Sequence, residues 1–139
     1  MFGKLNERGF ATLEVILMIT VLGILSAVAI PRFTAITTSA NTAKVQADLS
    51  TLDTAIALYQ MDNGTAPTNL KKDLATYVDN IDDLKPPTGT IYVEGDEKNA
   101  TSYDLNTDND TKTTRAVVVT DSGSYTSDKI TKNKKTSSS

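Results

Sequence analysis

From Phe10 to Ile30 the chain reads FATLEVILMITVLGILSAVAI, an apolar stretch of 21 residues that holds one ionisable side chain, Glu14. As a helix rising about 1.5 Å per residue it spans roughly 31 Å, the depth of a bilayer core. Lys4 and Arg8 precede it and only Arg32 follows closely, which favours a cytoplasmic N-terminus with the remaining chain outside. An ordinary export signal also fits in part, with a basic start and an Ala27-x-Ala29 cleavage pattern before Ile30. Against that reading, the apolar run is longer than a usual signal core. A carboxylate within it is disfavoured by roughly 2.5–3.5 kcal/mol near mid-bilayer. A plain anchor meets a milder objection, because Glu14 lies only about 6 Å along a helix from Phe10.

The other 110 or so residues suffice for about one small domain. The chain has no cysteine and no histidine, which removes disulfides, thiolate metal sites, the Ser-His triad and the usual neutral-pH base. It is therefore expected not to be an enzyme. From Asp62 to Asp128 thirteen acids face six bases, whereas Lys129 to Lys135 holds four lysines and no acid. An acidic folded part argues against a nucleic-acid partner.

Residues 31–62 change to an amphipathic pattern. Val45, Leu49, Leu52, Ile56 and Tyr59 form one stripe at alternating spacings of four and three, with Ala40, Ala43 and Ala47 as a smaller track. Gly23 and Pro31 are weak helix points, and a kink is expected between them. Asn63-Gly64 followed by Pro67 ends the helix. Leu70, Leu74, Tyr77, Val78 and Ile81 recur at helical spacing, predicting a second short helix before Pro86-Pro87. Strand-like runs follow at 90–93, 102–105, 115–120 and 124–126, with a hairpin turn at Gly123. The expected fold is α+β, a long N-terminal helix packed on a small antiparallel sheet. Its divisions are 1–9, an apolar helix 10–30, an amphipathic helix 31–62, a globular part 63–130 and a disordered, solvated tail 131–139.

The stretch RGFATLEVILMITVLGILSAVAIPRF resembles the N-terminus of type IV pilins and of the pseudopilins of type II secretion and competence systems. The shared pattern is a basic leader ending in Gly9, a Phe10-led apolar segment, Glu14 as the fifth mature residue, and a proline at Pro31. Tyr59, Asp62-Asn63-Gly64 and Pro67 resemble the segment after the long helix, although Ala66 stands where an aromatic is usual. The resemblance implies cleavage after Gly9 by a prepilin peptidase and N-methylation of Phe10. It also implies a filament of copies and sibling pilins in which Glu14 pairs with the amine of a neighbour's Phe10. The implied partners are a cytoplasmic assembly ATPase and its membrane platform protein. The implied product is a periplasmic or extracellular filament, whether pilus, secretion pseudopilus or DNA-uptake fibre.

Asp104, Asn106, Asp108 and Asp110 alternate as calcium-loop ligands do, but Asn109 stands at the glycine position and Arg115 where a bidentate Glu belongs. A plain hydrated turn explains the same residues, so no cofactor is expected, with calcium at these four residues as the alternative. The competing function is a secreted or anchored binding domain, an adhesin stabilised by calcium, with residues 1–29 used only for export.

Overall fold

The computed structural model describes residues 3–132, the side chains of 3–7 and 29–32 excepted. The expected tail from 133 onward and the first two residues of the expected leader lie outside the described residues. Among the described residues the elements are helix α1 (Gly3–Asn63), helix α2 (Leu70–Asp73), and strands β1 (Thr90–Val93), β2 (Asp96–Thr107), β3 (Thr114–Thr120) and β4 (Gly123–Tyr125). One-turn 3-10 segments lie at Ile81–Asp83 and Ser127–Lys129. The chain divides between Ile36 and Thr37 into two compact units. The first is the apolar part of α1. The second contains the remaining part of α1 with the sheet packed on it, an α+β arrangement like the one expected from the sequence.

The helix is assigned without a break through Gly23 and Pro31 and stops where the sequence predicts. Gly64 takes φ +70, its N–H donates to Gln60 O at 2.9 Å, and Asn63 Nδ2 donates to Tyr59 O. A left-handed residue just past the last turn satisfies carbonyls that would otherwise lack donors.

Within the second unit the predicted stripe is the core. Val45, Leu49, Leu52 and Ile56 are buried against Leu70, Leu74, Ile81, Ile91, Val93, Ala116 and Val118, with Tyr59 partly covered. Fully burying each such side chain is worth about 1.5–3 kcal/mol. The predicted helix from Leu70 to Ile81 is a correction: α2 has only four residues. Asp73 folds back to accept from the N–H groups of Thr68 and Asn69, Asn69 Oδ1 caps Lys72 N, and Asn80 in a left-handed conformation breaks the chain before Ile81. Leu70, Leu74 and Ile81 nevertheless reach the core, carried by turns instead of one helix.

The sheet is an antiparallel meander in the order β1-β2-β3-β4. Glu94 and Gly95, both at positive φ, form the tight β1–β2 turn. β2 extends well beyond the predicted 102–105. Its first part pairs with β1 and its second with β3, and an irregularity between Ala100 and Ser102 marks the change of partner. Such a bulge bends a strand and sharpens its twist. The sheet curls enough that residues 129–131, which follow β4, reach the outer edge of β1, where Ile130 bridges Val93.

Polar contacts lock this sheet to α1. Thr42 Oγ1 donates to Thr38 O and accepts from Tyr92 N, tying β1 to the helix. Asp53 accepts from Ala116 N at 2.8 Å and from Arg115 Nη2 at 3.1 Å, and Arg115 also donates to Ser127 and Asp128. The Tyr103 hydroxyl donates to Asp48 Oδ2 at 2.6 Å.

Two outcomes follow from this packing. A fragment starting at Arg32 is expected to unfold cooperatively, since among the described residues none before Thr38 is buried, and Leu49→Ala should lower its stability by about 2–5 kcal/mol. A urea midpoint unchanged by that substitution would remove the stripe from the core. Burial, reinforced by the Asp48 carboxylate, raises the Tyr103 phenol above its ordinary value. The folded state therefore holds this proton more tightly than the unfolded chain. The resulting stability is fully present below about pH 10 and is lost as pH rises further. Tyr103→Phe should be less stable at neutral pH but decline less steeply in alkali, as read from urea midpoints across pH.

Candidate functional site

The first unit is a helix with its apolar side chains turned outward. Phe10 is 69% exposed, and Leu13, Ile16, Leu17, Met18, Val21, Leu22, Ile24 and Leu25 are all exposed as well. None of the stretch long and apolar enough to cross a membrane is covered by the chain itself. A solitary helix with an apolar surface all round requires lipid or other helices around it.

Its polar groups are treated unequally. Thr12 Oγ1 donates to Arg8 O at 3.0 Å, Thr20 Oγ1 to Ile16 O at 2.8 Å, and Ser26 Oγ to Leu22 O at 2.8 Å. Each hydroxyl is thus satisfied by the carbonyl one turn back, the arrangement that lets such residues sit in an apolar medium. Glu14 has no such recourse. A carboxylate only accepts, and in a helix interior the N–H groups near it are already bonded. Among the described residues its carboxylate has no hydrogen-bond or ion-pair partner. It heads one helix face with Leu17, Met18, Val21 and Leu22, which line a shallow apolar hollow beside it. The helical spacing of three and four that groups these five was in the sequence. So was the isolation of Glu14.

Gly9 and Phe10 are helical and exposed, one residue to either side of the bond where a leader would be cut. Gly23 is helical and open, with room around it for a larger residue. Pro31 is helical in backbone, and its side chain lies outside the described residues.

The four alternating polar residues sit at the β2–β3 connection. Asp104 and Asn106 are exposed on β2, and Asp104 Oδ1 accepts from its neighbour Leu105 N. Asp108 Oδ1 accepts from Thr111 N at 3.1 Å and Asp110 N at 2.8 Å, and these two donors hold its carboxyl below the usual carboxylate range. These carboxylates therefore serve their own turn. Among the described residues no group of three or more acidic side chains is placed to hold a metal ion. The contacts that organise the domain instead, Asp48 with Tyr103 and Asp53 with Arg115 and Ala116, carried no local signal, because each joins residues more than fifty positions apart.

The chain is similar to the type II secretion system core protein G of three bacteria. It is 33% identical over 63 residues to that of Klebsiella michiganensis, 36% over 63 residues to that of Klebsiella pneumoniae, and 34% over 65 residues to that of Aeromonas hydrophila. The matches cover 45–47% of this chain and 44–46% of the relatives. The chain thus spans less than half the length of the curated relatives it matches. No family model and no solved structure matches it.

The turn geometry yields one outcome. Millimolar calcium should leave the melting temperature of the fragment from Arg32 nearly unchanged, as followed by circular dichroism. A rise of several degrees that Asp108→Ala abolishes would show that the turn rearranges to bind the ion.

Proposed function

We propose that the chain is a pilin or pseudopilin, a structural subunit of a helical filament, a reading that these relatives and the N-terminal motif support. In this reading Phe10–Ile30 holds the precursor in the membrane as a single span. The same helices then bundle as the filament core, and the acidic domain faces outward. Polymerisation, not catalysis, is the work. Of the possible filaments, a type II secretion pseudopilus is the one the named relatives favour. Ala66, where the motif usually has an aromatic, leaves the pilus and DNA-uptake types in play.

One observation carries the proposal: a lone carboxylate that has no partner among the described residues, on an apolar helix whose hydroxyls Thr12, Thr20 and Ser26 are satisfied. A filament supplies what the isolated chain lacks. Cleavage between Gly9 and Phe10 by a prepilin peptidase creates an amine at Phe10, which N-methylation leaves cationic. A neighbour's Glu14 accepts from it, and two charges that are each costly in an apolar core neutralise one another. The partner must be offset along the axis, so the contact is heterologous and propagates instead of closing. Gly23 and Pro31, each weakening the hydrogen-bond ladder, are the points at which the helix yields as copies pack. Extraction from the membrane is assigned to an assembly ATPase acting through a platform protein.

Two measurements test this reading. Mass spectrometry of filament protein should find a chain beginning at N-methylated Phe10, whereas a start at Ile30 would identify residues 1–29 as an export signal and sink the proposal. Glu14→Leu should yield membrane-inserted, Gly9-cleaved subunit but few filaments, because it leaves the neighbour's ammonium buried and unpaired, a loss of about 3–5 kcal/mol. Glu14→Asp should be intermediate. Filament yield is read as sheared material against the membrane fraction of the same cells, and a wild-type yield from Glu14→Leu would refute the pairing.

A further inference from the structure

The pairing phase of the sheet shows where its main-chain groups go unmet. Asp108 N donates to Thr113 O at 3.0 Å, one step beyond the last registered pair, Thr107 with Thr114. In an antiparallel ladder bonded pairs alternate with unbonded ones. Asn106 with Arg115, Asp104 with Val117 and Ser102 with Val119 are therefore the bonded pairs, and Tyr103, Leu105 and Thr107 turn their main-chain groups away from β3. Ala116, opposite Leu105, confirms the phase, since its N–H points away from β2 and reaches Asp53 Oδ1 at 2.8 Å. On the side away from β3, β1 accompanies β2 only as far as Asn99.

This edge is treated differently from the others. On β1 the outward groups are met: Tyr92 N donates to Thr42 Oγ1 at 2.9 Å, Thr131 N to Tyr92 O at 3.1 Å, and Asn41 Nδ2 to Thr90 O at 3.3 Å. β4 is only three residues long. Along 103–107 no other element supplies a partner to the outward main-chain groups among the described residues. The one bond there comes from within the strand. Asp104 Oδ1 accepts from Leu105 N at 2.8 Å and so occupies the central donor. Asp104, Asn106 and Thr107 are exposed, and a charged side chain on an unpaired edge discourages pairing.

The stretch is complementary to itself. Laid antiparallel to a second copy and centred on Leu105, it sets Tyr103 opposite Thr107, Leu105 opposite Leu105 and Asp104 opposite Asn106. The outward groups of 103, 105 and 107 then face one another as bonded pairs, and each copy offers the same patch, as a two-fold requires. Two costs attach to Asp104. Each Leu105 N must leave its carboxylate, and the two carboxylates become diagonal neighbours on one face, about 7–8 Å apart. We propose that the edge 103–107 is a self-pairing surface whose partner is the same edge of a second copy, and that Asp104 holds it closed. Crowded copies thereby keep their sheets separate. The inference concerns the second unit alone and stands whether or not the chain forms a filament.

The test uses the full chain in detergent, with micelles in large excess so that each holds one copy, and reads association by sedimentation equilibrium. Asp104→Ala should dimerise on the order of tenfold more tightly than the unaltered chain, because it frees a donor in each copy and removes the paired charge. Asp104→Asn keeps an acceptor for Leu105 N but loses the charge, and should fall between. Adding Thr107→Pro to Asp104→Ala removes an outward donor without breaking a bond to β3, and should abolish the gain. Association unchanged by Asp104→Ala overturns the proposal. So does a dimer that survives Thr107→Pro, since it forms through another surface, and so does growth beyond a dimer, which a two-fold forbids. Amide exchange of the unaltered chain supplies a check that needs no variant. Leu105 N–H should exchange more slowly than Thr107 N–H, and equal rates would remove the hold of Asp104 on the edge.

Discussion

Everything in the folded unit depends on one stripe of α1 finding a lid. Val45, Leu49, Leu52 and Ile56 lie on a helix that cannot bury them by itself, and the remaining chain is arranged to cover them. The sheet is narrow, its strands apart from β2 are short, and α2 is barely a turn. None of these would persist alone. Their order comes from a shared apolar partner, and the ionic and hydroxyl contacts of Asp53, Asp48 and Thr42 set the register in which they meet it.

The two halves of α1 solve opposite problems with one secondary structure. In Thr37–Asn63 the apolar residues occupy a stripe and their burial is internal. In the part before Ile36 they occupy the whole circumference, so no internal arrangement covers them. The C-terminal half specifies a domain and the N-terminal half demands company. Glu14 narrows what kind of company suffices, because lipid satisfies the leucines and leaves the carboxylate unanswered.

What was legible in the sequence follows the range of the interaction. The stripe at 45–56 and the stop at Asn63-Gly64 are local periodicities and local chemistry, and both were readable. So was β1, a short run of β-branched and aromatic residues closed by Glu94-Gly95. α2 was misread because Leu70, Leu74 and Ile81 keep helical spacing while Asp73 and Asn80 divert the backbone through bonds that spacing does not record. β2 was underestimated because DEKNATSYDLNT is polar and mostly exposed, its extension fixed by partners on two sides and not by its own composition. The N-terminal site was legible in one respect only: a solitary carboxylate is conspicuous in sequence, but its lack of a partner is a fact of three dimensions.

The segment 129–131 along β1 has a meaning for crowded molecules. An open strand edge recruits whatever strand drifts past, and in a fibre or a membrane patch the nearest candidates are identical domains held at very high local concentration. With Ile130 and Thr131 already occupying its Tyr92–Val93 end, that part of β1 is closed to a passing strand. An edge so occupied gives copies held close together one less way to zip into a shared sheet, where a hydrogen-bonded mistake in register would be slow to undo.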